Sequence, residues 1–169
     1  MNYTRSELIN AEATMNQIRN AIYHLARYMV KNNVKNLNER LRRMGKNIAK
    51  TYIAYWKPIE EVSLLNVKDV ISTIYKQILN SSVIIEINER ENLLIVKDNN
   101  CALCKYHYND IEIAGCEILL GLISEFINLI NKNSNNSSAI ALSPARIQES
   151  KALGNEMCVQ LFNYEIRGA

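Results

Sequence analysis

The first 32 residues carry apolar side chains at alternating steps of three and four, the spacing of one helix face. The pattern predicts a long helix over residues 4–32, with Thr4 and Glu7 at the spacing of a capping box. The stripe is as narrow as a coiled-coil seam. It consists of Leu8, Ala11, Met15, Ile18, Ile22, Leu25 and Met29. Two interpretations stay open: the helix packs on its own domain, or it pairs with its copy in a homodimer.

Two shorter amphipathic helices are predicted next, over residues 37–57 and 67–79. Pro58 ends the first of them, because proline cannot continue a helix. The apolar stripe of the first helix contains Leu37, Leu41, Met44, Ile48, Tyr52 and Tyr55. The stripe of the second helix contains Val67, Val70, Ile71, Ile74 and Ile78.

The hydrophobic period then changes to that of strands. Residues 83–87 and 93–96 are β-branched runs that predict a hairpin. Residues 111–131 follow as a helix that is apolar on most sides, and such a helix is buried on most sides.

A second strand pair closes the chain. Residues 139–142 and 145–150 are interrupted by Pro144, which indicates a bulge or an edge position. The last strand covers about residues 157–166. The order of elements predicts an α+β fold, in which N-terminal helices and a later long helix pack on a twisted antiparallel sheet of two hairpins.

Composition places the chain in the ordinary globular class. With 169 residues, 48% of them hydrophobic and 22% charged, we expect a single domain over residues 1–169. The longest uncharged apolar run, residues 118–123, is far too short to span a bilayer. The N-terminus lacks the apolar core of a signal peptide, so we expect a cytoplasmic location.

The second predicted helix has a basic surface, made of Lys35, Arg40, Arg42, Arg43, Lys46 and Lys50. Such a surface is usually a solvated helix face, and the alternative is an anionic ligand. Aromatic side chains that would stack on bases are not interleaved with these charges, and the net charge is only +3. Nucleic acid is therefore not an expected partner.

Four cysteines are the chemical landmark of the chain. Cys101 and Cys104 form a C-x2-C turn, Cys116 lies near the start of the buried helix, and Cys158 lies on the inward face of the last strand. In a reducing compartment such a set binds a metal or stays as buried free thiols. The spacing favours a zinc site of four thiolates. A site with four protein ligands has no open position, so the zinc is structural.

Three motifs, taken together, resemble the 4-vinyl reductase domain family and, more distantly, the small subunits of the vesicle-tethering complex TRAPP. The first is L-x-x-M-G-x-x-I-A at residues 41–49. The second is C-A-L-C at residues 101–104, followed by Cys116 and, five residues later, Gly121. The third is E-S-K-A-L-G-N-E-M-C at residues 149–158.

The chain departs from the family pattern at three places. Ala49 and Glu125 stand at or near positions where the family usually has glycine. The first cysteine of the closing hairpin is missing, and Ser150 or Ala152 aligns with it. His107, three residues after the C-x2-C turn, is an alternative ligand.

The resemblance implies an α+β fold like that of TRAPP subunits, a homodimer, a largely apolar pocket for a small molecule, and zinc. Three functions follow as hypotheses. The leading one is a zinc-containing domain that senses or carries a hydrophobic ligand. The second is an enzyme or an accessory protein in tetrapyrrole vinyl reduction, and the third is a tethering protein that acts through its dimer surface.

The sequence itself gives little support for an enzyme. It has five glycines and none of them form a dinucleotide-binding loop of the G-x-G-x-x-G type. No pairing of a histidine with an acid stands out as a proton relay. In the tethering subunits a cysteine of the second helix carries a lipid, but residues 37–57 contain no cysteine.

Overall fold

The computed structural model of the chain describes residues 4–134 and 136–168. The helices are α1 (Arg5–Lys31), α2 (Leu37–Ile53), α3 (Val67–Leu79) and α4 (Glu117–Ile130). The strands are β1 (Val83–Asn88), β2 (Leu93–Asp98), β3 (Ile140–Glu149) and β4 (Cys158–Ile166). None of the helices within these described residues is both long enough and apolar enough to cross a bilayer.

The strands form one antiparallel sheet in the order β1-β2-β4-β3. Strand β1 pairs with β2 in the first hairpin, and β3 pairs with β4 in the second. The central pairing of β2 with β4 joins the two hairpins. The α+β prediction with a sheet of two hairpins is therefore confirmed. The predicted strands 139–142 and 145–150 are one strand, β3, whose register shifts between Pro144 and Arg146. This edge strand tolerates proline because one side of it has no partner strand among the described residues.

Helix α4 forms the centre of the core. Of its residues, all but Glu125, Asn128 and Leu129 are buried. It packs on α2 on one side and on β3 on the other. The predicted glycine motifs explain the close contact with α2: a Cβ atom on Gly45 would lie 1.9 Å from the Ile118 carbonyl oxygen.

The predicted start of the buried helix at residue 111 is wrong, since α4 begins at Glu117. Residues 111–116 are irregular, and all of them except Glu112 are buried. Their backbone amides bond to side chains instead of helix carbonyls: the Gly115 amide donates to the Tyr23 hydroxyl, and the Cys116 amide donates to the Cys104 sulfur. These contacts replace the first helical turn, and apolar periodicity alone does not reveal them.

Helix α1 begins with the predicted capping box of Thr4 and Glu7. Its buried residues are Arg19, Ile22, Tyr23 and Ala26. These contact the irregular segment around the first three cysteines, so α1 does pack on its own domain. The packing face is rotated relative to the predicted seam and shares Ile22 with it, whereas Leu8, Ile18 and Leu25 of that seam are all more than 40% exposed.

Candidate metal centre

The four cysteine sulfurs converge at one place in the core. All four lie within 4.8 Å of one another, and each cysteine is at most 2% exposed. All are free thiols. A tetrahedral zinc site with Zn–S bonds of about 2.3 Å separates its sulfurs by about 3.8 Å. The observed cluster is close to that spacing, and its donor set suits a soft tetrahedral ion such as zinc.

Strand pairing brings distant parts of the sequence to this cluster. Asp98, the last residue of β2, pairs with Cys158, the first residue of β4. The C-x2-C turn begins three residues after Asp98, so it starts beside Cys158. Within the turn the Cys104 amide donates to the Cys101 carbonyl oxygen over 3.3 Å. Cys116, at the start of α4, completes the set.

Polar hydrogens point at one sulfur in particular, that of Cys104. The Cys116 amide donates to it over 3.2 Å. The Tyr23 hydroxyl, which lies on α1, donates to it over 3.4 Å and accepts a hydrogen bond of 2.9 Å from the Gly115 amide. Donors of this kind stabilise a thiolate and orient a metal ligand.

The pKa values of the thiols follow the same pattern. Burial acts to raise the pKa of Cys104, but hydrogen bonds from the other three thiols hold it well below its ordinary value. The hydrogen bond to Cys104 raises the pKa of Cys101 well above its ordinary value. Four adjacent thiolates would repel each other, and a divalent cation held by the four sulfurs would remove that repulsion and favour loss of the thiol protons.

Ser150 is a fifth group at the cluster. Its hydroxyl oxygen lies 3.9 Å from the Cys116 sulfur and 3.8 Å from the Cys158 sulfur. The side chain is fully buried. Of the two positions that align with the missing family cysteine, Ser150 is the one whose side chain contacts these sulfurs.

The structure brings together all four of the cysteines that the sequence singled out, and their role as ligands stays a prediction. It places His107 elsewhere: this residue is exposed, and its Nδ1 lies 3.2 Å from the Ala152 carbonyl oxygen. Sequence reasoning missed Tyr23 and Ser150. A second helical stripe at residues 19, 23 and 26 was the signal that would have found Tyr23.

The basic surface of α2 is partly used within the domain. Arg42 forms an ion pair of 2.6 Å with Glu117, whose side chain is only 5% exposed. Arg42 also donates to the Ala145 carbonyl oxygen, so it joins α2, α4 and β3. The solvated-face interpretation is therefore wrong for Arg42, but it holds for the largely exposed Arg43.

Several grooves mark the surface. One of about 190 Å³ lies between the first half of α1 and the C-x2-C turn, and its lining includes Met15, Arg19 and Cys101. A groove of about 310 Å³ beside the basic residues is lined by Arg42, Arg43 and Lys46.

Comparison with known proteins gives a fold but no sequence family. No protein-family model matches the chain, and no curated protein sequence matches it. Among solved structures it is similar to a trafficking protein particle complex subunit 3 from Naegleria fowleri, covalently bound to palmitic acid. The TM-score is 0.65 at 12% identity, and the match covers 94% of this chain and 97% of that one.

A second solved structure is similar at a lower level. It is the phenol-responsive sensory domain of the transcription activator PoxR with phenol, with a TM-score of 0.47 and 12% identity. The match covers 85% of this chain and 73% of that chain. The comparison with the trafficking subunit shows that this chain has the α+β fold of TRAPP subunits.

Proposed function

We propose that the chain is a zinc-containing binding domain, in which Cys101, Cys104, Cys116 and Cys158 hold one structural zinc ion. The observation that carries the proposal is the convergence of four buried free thiols within 4.8 Å. With four thiolate ligands the ion has no open position for water or substrate, so its role is to hold the irregular segment, α4 and β4 together.

The test is the zinc content of the full chain, purified without added metal under reducing conditions. We expect about one zinc per chain, as a single tetrahedral site implies. Cys104→Ser and Cys158→Ser lose the zinc and melt at a lower temperature. Ser138→Ala, an exposed hydroxyl far along the sequence from all four cysteines, serves as the control and keeps both. A parent free of metal, with cysteine variants as stable as the parent, would overturn the proposal.

We propose further that the domain binds a small apolar molecule without a covalent bond. The support is the similarity of fold to a subunit that was solved with palmitic acid, together with the groove beside α1. All four cysteines of this chain lie in the cluster, so none is available elsewhere for acylation. At about 190 Å³ the groove is smaller than the pockets that take drug-sized ligands, which restricts the ligand to a smaller molecule.

Native mass spectrometry of the chain as purified tests this ligand. We expect a mass beyond that of the protein and its zinc. The excess disappears in Met15→Lys, which places a charge in the groove, and persists in Met44→Lys, which lies on α2. A parent whose mass contains only protein and zinc would contradict ligand binding.

The third hypothesis, an interaction protein, is favoured by a different observation. Backbone contact between α2 and α4 at Gly45 and Gly121 leaves no room for a ligand between these two helices. The face of α1 that carries Leu8, Ile18 and Leu25 is exposed. This alternative to ligand binding is association of two copies of the chain through that face of α1.

A further inference from the structure

Helix α1 is held to the domain mainly by the irregular segment that carries three of the cysteines, residues 101–116. Arg19 donates from Nη1 to the Ala102 carbonyl oxygen over 3.0 Å, inside the C-x2-C turn. Tyr23 donates to the Cys104 sulfur itself. These are contacts with the predicted metal turn and not with the sheet.

The other side-chain hydrogen bonds and the aromatic contact between α1 and the rest of the described chain go to the same segment. Arg27 forms two hydrogen bonds to the Asp110 carboxylate, one of them 2.9 Å from Nη2 to Oδ1. Lys105 bonds to Glu12 over 2.7 Å. The ring of Tyr108 lies 4.2 Å from that of Tyr23, measured between centroids. A helix of 27 residues is thus anchored along its length by one loop.

The loop is held by apolar packing of Leu103, Ile111, Ile113 and Ala114 in the core and by the cysteine cluster, but by few backbone hydrogen bonds to the rest of the chain. Residues 101–116 form neither helix nor strand. Their backbone bonds to the rest of the chain include one from the Tyr108 amide to the Ala152 carbonyl oxygen. The other constraint is the cysteine cluster, in which Cys101, Cys104 and Cys116 of the loop meet Cys158 of β4. A metal ion at the cluster would therefore set the conformation on which α1 packs.

We propose that the metal ion governs the docking of α1: the bound ion holds α1 on the domain, and loss of the ion releases it. The inference rests on the proposed zinc site. Tyr23 is the positioning residue that joins the two, because its hydroxyl bonds to a ligand sulfur and to the Gly115 amide next to another ligand.

Hydrogen exchange of the full chain, followed by mass spectrometry of its peptides, tests the coupling. The zinc-loaded chain is compared with the same chain stripped by a chelator under reducing conditions, and the zinc content of each sample is measured. We expect peptides from α1 to exchange at least tenfold faster in the stripped chain. Peptides from α2 and α4, which pack on each other, lose much less protection.

If the chain stripped of zinc unfolds as a whole, its exchange no longer reports on α1 alone. A variant that keeps its zinc avoids this problem. Tyr23→Phe removes the hydroxyl that donates to Cys104 and accepts from Gly115. We expect one zinc per chain, with α1 exchanging roughly tenfold faster, the factor that one hydrogen bond to a charged group contributes. Tyr28→Phe, an exposed tyrosine of the same helix, exchanges like the parent.

Three results would count against the account, and they are distinguishable. If zinc binds and its removal leaves α1 as protected as before, the coupling is wrong and the zinc site stands. If α1 of the zinc-bound Tyr23→Phe variant exchanges like α1 of the parent, Tyr23 does not couple the metal site to α1. If the chain never binds zinc, the proposed function is wrong and the coupling falls with it.

Discussion

At the scale of single residues, a buried hydroxyl, that of Ser150, lies beside the four-cysteine cluster. The Ser150 oxygen lies 3.8–3.9 Å from two of the sulfurs, which is the edge length of a zinc–thiolate tetrahedron. A sulfur atom at this position would therefore lie within reach of a bound ion. In the resemblance to the 4-vinyl reductase domain family, Ser150 or Ala152 aligns with the family's additional cysteine.

This position gives a rescue experiment. Cys116→Ser alone is expected to lose the zinc, and the double variant Cys116→Ser, Ser150→Cys is expected to regain about one zinc per chain. The control double variant carries Leu153→Cys, whose side chain is exposed and points away from the core. Zinc content by mass spectrometry checks the prediction. Rescue by Leu153→Cys as well, or by neither, would contradict the geometry of the cluster.

Arg42 gives a second prediction at this scale. Arg42→Gln leaves the Glu117 carboxylate buried without its cation, and we expect the free energy of unfolding to fall by about 2 kcal/mol, less than for a fully buried pair. Arg43→Gln removes a charged side chain that is 73% exposed, and we expect it to change the free energy of unfolding by less than about 0.5 kcal/mol. Urea unfolding of the zinc-loaded variants measures both. Equal effects of the two substitutions would show that the Arg42–Glu117 pair has no special role.

The residues of the site divide clearly into those that could be predicted and those that could not. The spacing of the cysteines identified all four, because a C-x2-C turn and inward-facing cysteines carry a chemical meaning in the sequence alone. Tyr23 and Ser150 could not be identified in this way. Their hydroxyls matter because α1 and the second hairpin meet the cluster in space. The helical stripe at residues 19, 23 and 26 indicates only that Tyr23 is buried, not which group it contacts.

At the scale of elements, the contact between α2 and α4 determines how the core is closed. Gly45 and Gly121 each lie where a Cβ atom would come 1.9 Å from a backbone oxygen of the other helix. The two helix backbones therefore touch directly, and no flexible side chain is available to move aside.

Substitution at this contact tests the packing. Alanine usually stabilises a helix by about 1 kcal/mol relative to glycine. For Gly45→Ala we expect the opposite effect: the free energy of unfolding falls by about 3 kcal/mol, because the added Cβ atom forces the two helices apart. Asn47→Ala, an exposed position of the same helix, is the control and changes stability little. Gly45→Ala with stability equal to or above that of the parent, by urea unfolding, would show that α2 and α4 do not pack in this way.

Most element positions were predictable and some boundaries were not. The helical stripes and the alternating runs gave α1, α3 and the first hairpin nearly to their ends. The start of α4 was misplaced because apolar residues 111–116 are buried for a different reason, as part of the irregular segment. Pro144 was correctly taken as an edge feature, but periodicity alone did not show that the strand continues through it.

At the scale of the whole molecule, the α+β class followed from the order of the elements, whereas the strand order did not. The pairing of β2 with β4 joins residues about 65 positions apart, and no local pattern specifies such a contact. This pairing places Cys158 beside the C-x2-C turn. The feature of the fold that was hardest to predict is thus the one that assembles the site.

The exposed seam of α1 gives a prediction about assembly. We expect the zinc-loaded chain to be a dimer through the face that carries Leu8, Ile18 and Leu25, because these large apolar side chains are exposed there. Ile18→Glu weakens the dimer at least tenfold in sedimentation velocity. Ile84→Glu, at an apolar residue of β1 that is even more exposed than Ile18, leaves it unchanged. A monomeric parent, or equal effects of both variants, would exclude this interface.

The coordination of the metal is the central claim, and X-ray absorption at the zinc edge of the loaded full chain tests it most directly. The account predicts four sulfur neighbours at about 2.3 Å and no nitrogen or oxygen in the first shell. A first shell with nitrogen at about 2.0 Å would contradict it, because a histidine or another ligand would then replace a cysteine. The same result would show that the four sulfurs, although adjacent in the fold, do not form the closed site on which the docking of α1 depends.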